Sequence, residues 1–274
     1  MSSLYAGSGR DPGSAEALAE AWFVALSAKI DATPDARFER GSDGVHLVVT
    51  GVLMPTGNGV FTTATNPDPQ RVAALADKMV GRGLPWSIQV RGEPDAELVR
   101  LAAGYGLTAR VPSPLMSRSA PRVPAPTRAG DAVGAAGSDT ARVRPATGAD
   151  GPVYANLIAT ALGLPRPVIG EFASAPVLEA PGITGYLVEW DGVAAGTGLS
   201  TRFGEHLGVY NITVPPAFRR RGFARLVSET VLRDGFASGA QVAFLHASAQ
   251  AQSLYESLGF RTVETWTYLV PDAS

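Results

Sequence analysis

The chain has 274 residues, enough for one or two domains, and its 45% hydrophobic and 18% charged content excludes a disordered polymer. A formal net charge of −2 supplies no global field for nucleic acid or an anionic membrane. Cysteine is absent, which removes disulfides, thiolate metal sites and cysteine nucleophiles, and the three scattered histidines (His46, His206 and His246) do not form a zinc set.

The first ten residues are Ser/Gly-rich, without a basic region followed by an apolar core. No apolar run approaches the roughly 18–20 residues of a membrane helix. The expectation is a cytoplasmic protein with no membrane contact. In chain order, periodicity predicts a helix over 14–29 and a hairpin over 44–53 and 59–65. A helix over 71–80, a strand over 85–90, a helix over 95–105 and a strand over 107–111 follow. Residues 119–140 carry Pro121, Pro124 and Pro126, then Gly130, Gly134 and Gly137, with no apolar period, and read as a linker. The chain therefore divides into 1–118, the linker 119–140, and 141–274.

The second piece alternates strands and helices. A strand over 141–144 stops at Pro145, and a helix covers 150–162. Strands over 185–190 and 193–201 flank Asp191-Gly192, a strong hairpin turn. A strand over 207–214 ends at Pro215-Pro216. An amphipathic helix over 222–236 aligns Phe223, Leu226, Val227, Thr230 and Val231. The buried strand 242–246, a helix over 249–258 stopped by Gly259, and a strand over 261–270 complete the chain. Two local matches suggest a repeat: 60–68 aligns with 209–217, and 98–107 with 251–260, in the same order.

Arg219-Arg220-Arg221-Gly222-Phe223-Ala224 is the sharpest feature. It follows an apolar strand and opens a helix, whose first N–H groups are unpaired and carry partial positive charge. Gly222 and Ala224 leave room for a diphosphate to approach the backbone. The ordinary alternative is a solvated basic helix start. No Walker lysine follows, and Gly196-Thr197-Gly198 lacks the third glycine of a dinucleotide fingerprint.

The pattern Arg219-x-x-Gly222-x-Ala224, followed by Ser248-x-x-Ala251-x-x-Leu254-Tyr255-x-x-Leu258-Gly259-Phe260, resembles the GNAT superfamily of acetyl-CoA-dependent N-acetyltransferases over about 141–270. The resemblance implies an α+β fold of two GNAT-like domains, each a mixed, mostly antiparallel sheet flanked by helices, in tandem. It implies that the strand at Asn211, Ile212, Thr213 and Val214 pairs with the pantetheine arm of acetyl-CoA. By the same likeness Arg219, Arg220, Arg221, Gly222, Phe223 and Ala224 hold the pyrophosphate. Tyr255 would act as general acid toward the departing thiolate, although its stripe with Leu254 and Leu258 also suits plain packing. Ser248 stands where the family has Asn, which weakens that CoA contact.

The base is less legible. Glu205 and His206, near the key strand, are candidates, Glu189 and Glu171 are also able to face the acceptor, and a water-relayed proton is equally admissible. Asn211, Thr213 and His246 have the plainer reading of hydrogen-bonding groups at strand ends. Segment 162–182 is mostly apolar, with Arg166, Glu171 and Glu179 as its charges, which favours a small, amino-acid or peptide-like amine over a polycation. In the first piece Asn66-Pro67-Asp68-Pro69-Gln70-Arg71 replaces the loop and Ala102 replaces the tyrosine, so a degenerate domain that binds no CoA is expected. The competing function is an acyl-CoA-binding sensor or interaction module without turnover. No metal and no nucleic-acid partner are expected, and a homodimer is the assembly to test.

Overall fold

Side-chain caps start the three helices of the first half. Ser14 accepts from the Ala17 amide at 3.3 Å and opens α1 (Ala15–Asp31). Asp68 caps α2 (Pro69–Ala76) and Asp95 caps α3 (Ala96–Gly104). Around these helices lie β1 (Arg37–Glu39), β2 (Val45–Val49), β3 (Asn58–Thr62), β4 (Ser87–Arg91) and β5 (Ala109–Ser119). The second half contributes β6 (Val133–Gly134), β7 (Thr140–Pro145), α4 (Gly151–Leu162), α5 (Ala175–Leu178), β8 (Ile183–Trp190) and β9 (Val193–Phe203). It continues with β10 (His206–Thr213), α6 (Phe223–Ala237), β11 (Val242–His246), α7 (Gln252–Ser257) and β12 (Arg261–Val270). Asp191 (φ 50°) and Gly192 (φ 74°) make the expected primed turn between β8 and β9.

The computed structural model describes residues 11–121, 133–134, 140–165, 169 and 174–272. Its strands form one 12-stranded sheet in the order β1-β2-β3-β4-β12-β5-β11-β10-β9-β8-β7-β6. Each half supplies a mixed, mostly antiparallel stretch of that sheet flanked by helices. The only parallel pairs among the described residues are β3 with β4 and β10 with β11, one in each half. The aligned segments 60–68 and 209–217 thus leave equivalent strands.

The halves are joined by an exchange that periodicity did not foresee. β12, from the second half, lies between β4 and β5 of the first, and β5 pairs with β11 of the second. β5 is eleven residues long and continues through Pro112 and Pro114, beyond the expected strand end at 111. Both prolines stand opposite Thr267 and Thr265 of β12 but turn their polar edge toward β11, where the Pro114 carbonyl accepts from Ala247 and pairing starts only at Leu115, so the missing N–H groups interrupt no ladder. The linker expected at 119–140 lies largely outside the described residues, although Val133–Gly134 pairs with β7. β1 and the one-turn α5 were not anticipated, being too short for a periodic signal.

Alternation along the strands separates two faces. Leu207, Val209, Ala243 and Leu245 meet Val227 and Val231 of α6. On the other face Leu18, Trp22 and Leu26 of α1 meet Phe61, Phe244 and Trp266. α1 therefore crosses from the first half onto the strands of the second. No helix among the described residues is long and apolar enough to cross a membrane.

Candidate active site

β10 and β11 stay paired only at His206–Val242, Leu207–Ala243 and Gly208–Phe244. Past Gly208 they part, because β10 bulges: Tyr210 faces Leu199, but Thr213 rather than Ile212 faces Thr197. Asn211 takes φ 50° to absorb the extra residue. Thr197 fixes the distortion by donating Oγ1–H to the Asn211 carbonyl at 2.7 Å, with Thr213 Oγ1 at 2.5 Å as the donor to Thr197. The edge of β10 from Val209 to Thr213 is thereby turned toward a gap instead of a neighbouring strand.

The gap opens into a cavity of about 450 Å³. Ile212, Thr213, Ser248 and Tyr255 line it, while Val214 and residues 219–224 do not. The first half completes it with Trp22, Leu26 and Lys29 of α1 and with the loop after β2. Asn58, fully buried, pins that loop: its Oδ1 accepts from the Thr50 and Gly51 amides at 2.9 and 3.1 Å. Its Nδ2 donates to the carbonyls of Val52 at 2.7 Å and Pro85 at 3.0 Å.

The arginine loop precedes α6 as expected. Backbone φ changes sign from −65° at Arg219 to 66° at Arg220 and 81° at Gly222, which becomes a left-handed N-cap. No side chain caps α6, so its first N–H groups are left for an external acceptor. The guanidinium groups divide their work. Arg219 is a strut, donating to the carbonyls of Val214 at 3.1 Å and Ala161 at 2.8 Å. Arg221 rests 4.5 Å over the Trp190 ring, and Arg225 binds Ser257 at 2.6 Å. Arg220 is solvent-exposed. Phe223 is buried against Trp190, so only its backbone can serve a ligand, and the Ala224 carbonyl accepts from Ser228 at 2.7 Å.

Tyr255 is 7% exposed, and burial pushes its phenol up to about 12. The named base candidates lie elsewhere. Glu205 sits in the turn before β10, bonded to Gln241. His206 bonds the Pro12 carbonyl at 2.8 Å, and four residues of strand, about 13 Å, separate it from Tyr210. Glu189 is held by Arg142 and Arg144 at 2.7 and 2.6 Å. None of the three lines the cavity: β10 carries Glu205 and His206 away from the gap at its start, and Glu189 lies on β8. Arg166 and Glu171 lie outside the described residues.

His246, expected only as a hydrogen-bonding group at a strand end, and Lys29, which no sequence motif marks, both line the cavity. His246 ends β11, its Nδ1 within 3.3 Å of the Ser113 carbonyl, and burial lowers its pKa to about 4. Its Nε2 has no hydrogen-bond partner. Lys29 is buried, with its pKa lowered by desolvation to about 7. Neither was separable from core packing without knowing that α1 covers the gap.

In the first half the equivalent opening is closed. After Phe61 pairs with Gln89, the next amide, Thr62, donates to the Gln89 side chain at 3.1 Å. The N-terminus of α2 is occupied by its own Asp68 carboxylate, which accepts from Gln70 at 3.0 Å.

Residues 162–260 match the acetyltransferase (GNAT) family, and this span contains β10, the arginine loop and Tyr255. The chain thus carries a GNAT acetyltransferase domain and is an acyltransferase. A GCN5-related N-acetyltransferase from Kribbella flavida is 16% identical, with TM-score 0.63 over 95% of this chain and 96% of that one. A putative GNAT-family acetyltransferase from Novosphingobium aromaticivorans is 20% identical, with TM-score 0.54 over 86% and 92%. A functionally unknown conserved protein from Staphylococcus epidermidis is 12% identical, with TM-score 0.56 over 89% and 97%. These likenesses concern the fold, and they extend through both halves. No curated protein matches the chain.

Proposed function

We propose that the protein transfers an acetyl group from acetyl-CoA to the primary amine of a small-molecule, amino-acid or peptide-like acceptor by direct attack. The observation that carries this reading is the gap between β10 and β11, which leaves one edge of a bulged strand open beside Tyr255 and just before an uncapped helix. Backbone groups from Val209 to Thr213 suit an extended amide-bearing arm. The N–H groups opening α6, with Arg220 nearby, suit a diphosphate.

Within this reading the amine nitrogen bonds to the thioester carbon and the carbon–sulfur bond breaks. Tyr255 donates a hydrogen bond to the sulfur as it gains charge. Its raised pKa keeps the phenol protonated, and a thiol near 8.5 is the stronger acid, so a hydrogen-bonded thiolate precedes complete proton transfer. His246 is neutral at pH 7. Its Nδ1 lies 3.0 Å from Ser113 Oγ and 3.3 Å from the Ser113 carbonyl, and its Nε2 is buried, so the amine attacks in its neutral form and its proton leaves to water. Gln89 and Asp68 support the reading of the first half as a degenerate GNAT-like domain whose remaining role is to wall the acceptor side.

Titration calorimetry with acetyl-CoA, followed by thiol release over a panel of amines, tests the proposal. One equivalent bound with amine-dependent thiol release is expected. Binding without release on any amine would establish the non-catalytic module instead, and absence of binding would remove both.

A further inference from the structure

Gly196-Thr197-Gly198 lies in β9, between β8 and β10, with its two glycines on one face of the sheet and Thr197 on the other. A side-chain carbon built at Gly196 would stand 3.0 Å from the Thr213 carbonyl oxygen. One built at Gly198 would stand 3.1 Å from Ile212 Cδ1 and 2.7 Å from Val227 Cγ2. The glycines therefore leave room for the bulged stretch of β10 and for α6 behind it. Thr197 is fully buried and grips the same stretch from the opposite face. Its hydroxyl has one proton, which goes to the Asn211 carbonyl, so the bond at 2.5 Å must be donated by Thr213. Tyr154 of α4, also fully buried, donates to the Gly198 carbonyl at 2.7 Å and holds this part of β9 in turn.

Asn211 pays for the bulge with φ 50°, a left-handed conformation in a non-glycine residue. Without the bonds through Thr197, regular pairing would bring Ile212 opposite Thr197, and a slip of one residue reverses every group beyond it. We propose that Thr197 is a positioning residue for acetyl transfer: it holds the bulge, and thereby fixes which backbone groups of β10 face the pantetheine arm and where the thioester lies relative to Tyr255. The inference rests on the acetyl-transfer reading above and deepens it. Thr197 does not line the cavity, so it acts through β10. The diphosphate is served separately, by the start of α6, so Thr197 governs the arm and leaves the diphosphate alone.

The test is calorimetry with CoA and with phosphoadenosine diphosphate, the CoA fragment that lacks the arm. Thr197→Val keeps the shape of the side chain and loses the hydroxyl. It is expected to weaken CoA at least about 10-fold and to change the fragment less than about 2-fold. Thr197→Ser keeps the hydroxyl and should recover CoA affinity to within about 3-fold of the unsubstituted chain. Thr201→Val makes the same change on β9 opposite Gly208, where β10 is regular, and should leave both ligands unaffected. With the amine that gives the fastest thiol release, kcat at saturating acetyl-CoA should fall about 10-fold in Thr197→Val. Should Thr197→Val fail to fold, Thr197→Ala carries the same comparison. Equal weakening of CoA and the fragment overturns the inference, as does unchanged CoA affinity or unchanged kcat in Thr197→Val. Failure of Thr197→Ser to recover, or the same selective loss in Thr201→Val, also overturns it. Failure of the unsubstituted protein to bind CoA would instead mark failure of the underlying reading.

Discussion

Burial of Lys29 opposes folding in a pH-dependent way. In the unfolded chain a lysine titrates near 10.4, whereas the folded side chain titrates at about 7. Between these values the unfolded state holds the extra proton, so stability rises with pH, by at most about 1.4 kcal/mol per unit, and levels below pH 7. Urea unfolding at pH 7.5 and 9 should show this gain in the unsubstituted protein and a flatter response in Lys29→Met, which should also be the more stable at pH 7.5. Tyr255→Phe keeps the ring that packs 5.7 Å from Phe260 and removes only the hydroxyl. It is expected to lower kcat about 10–100-fold with acetyl-CoA affinity unchanged, as read by steady-state rates and calorimetry. An unaltered kcat would take Tyr255 out of the chemistry. Asn58→Ala should cost about 2–5 kcal/mol, because the buried amides of Thr50 and Gly51 lose their acceptor and the cavity wall loses its anchor. Chemical denaturation measures it.

At the scale of elements, the segment from β10 through the arginine loop into α6 joins three local distortions into one site. The bulge at Asn211 opens the edge, Pro215 and Pro216 end the strand, and the left-handed Gly222 turns the chain into the helix. Nothing lies within 4 Å of a side-chain carbon built at Gly222, so its conformation, and not crowding by the protein, sets the intrinsic cost of a substitution. Gly222→Asp should strain the backbone by about 1–2 kcal/mol and weaken CoA binding at least 100-fold through charge and bulk. Gly192, also at positive φ in open space, provides the control. Gly192→Asp should carry similar strain and leave CoA calorimetry unchanged. Equal CoA affinity in both variants would mean that the diphosphate site lies elsewhere.

For the whole molecule, the exchange of β5 and β12 ties the halves together. Arg91 of β4 grips Glu264 of β12 through two bonds of 2.8 and 2.7 Å, and it also donates to the Thr63 carbonyl at 3.0 Å. A fragment of residues 141–274 would lack β5 and leave β11 and β12 with open edges. It is expected to aggregate or remain unfolded, and the intact chain to unfold in one calorimetric transition. Two separated transitions, or a soluble folded fragment, would show that the exchanged strands are dispensable. α1 depends on the same arrangement, since its buried face is covered only when strands of both halves lie beneath it.

Where a feature depends on neighbours in the chain, the amino-acid order alone was enough. The helix periods, the Asp191-Gly192 turn, the loop at 219–224 and the motif around Tyr255 are local, because caps, φ preferences and face periodicity act over a few residues. Strand partners are not encoded locally: an apolar alternating segment fits many neighbours, so neither the place of β12 nor the continuation of β5 through its prolines could be read in advance. Glu205 and His206 adjoin the key strand in sequence but lie at its far end in space, whereas Lys29 is more than 180 residues from Asn211 and shares its cavity. The order of the residues thus carries the local motifs at 219–224 and around Tyr255. Only the tertiary fold, by laying α1 across the gap, decided which side chains of the first half line it.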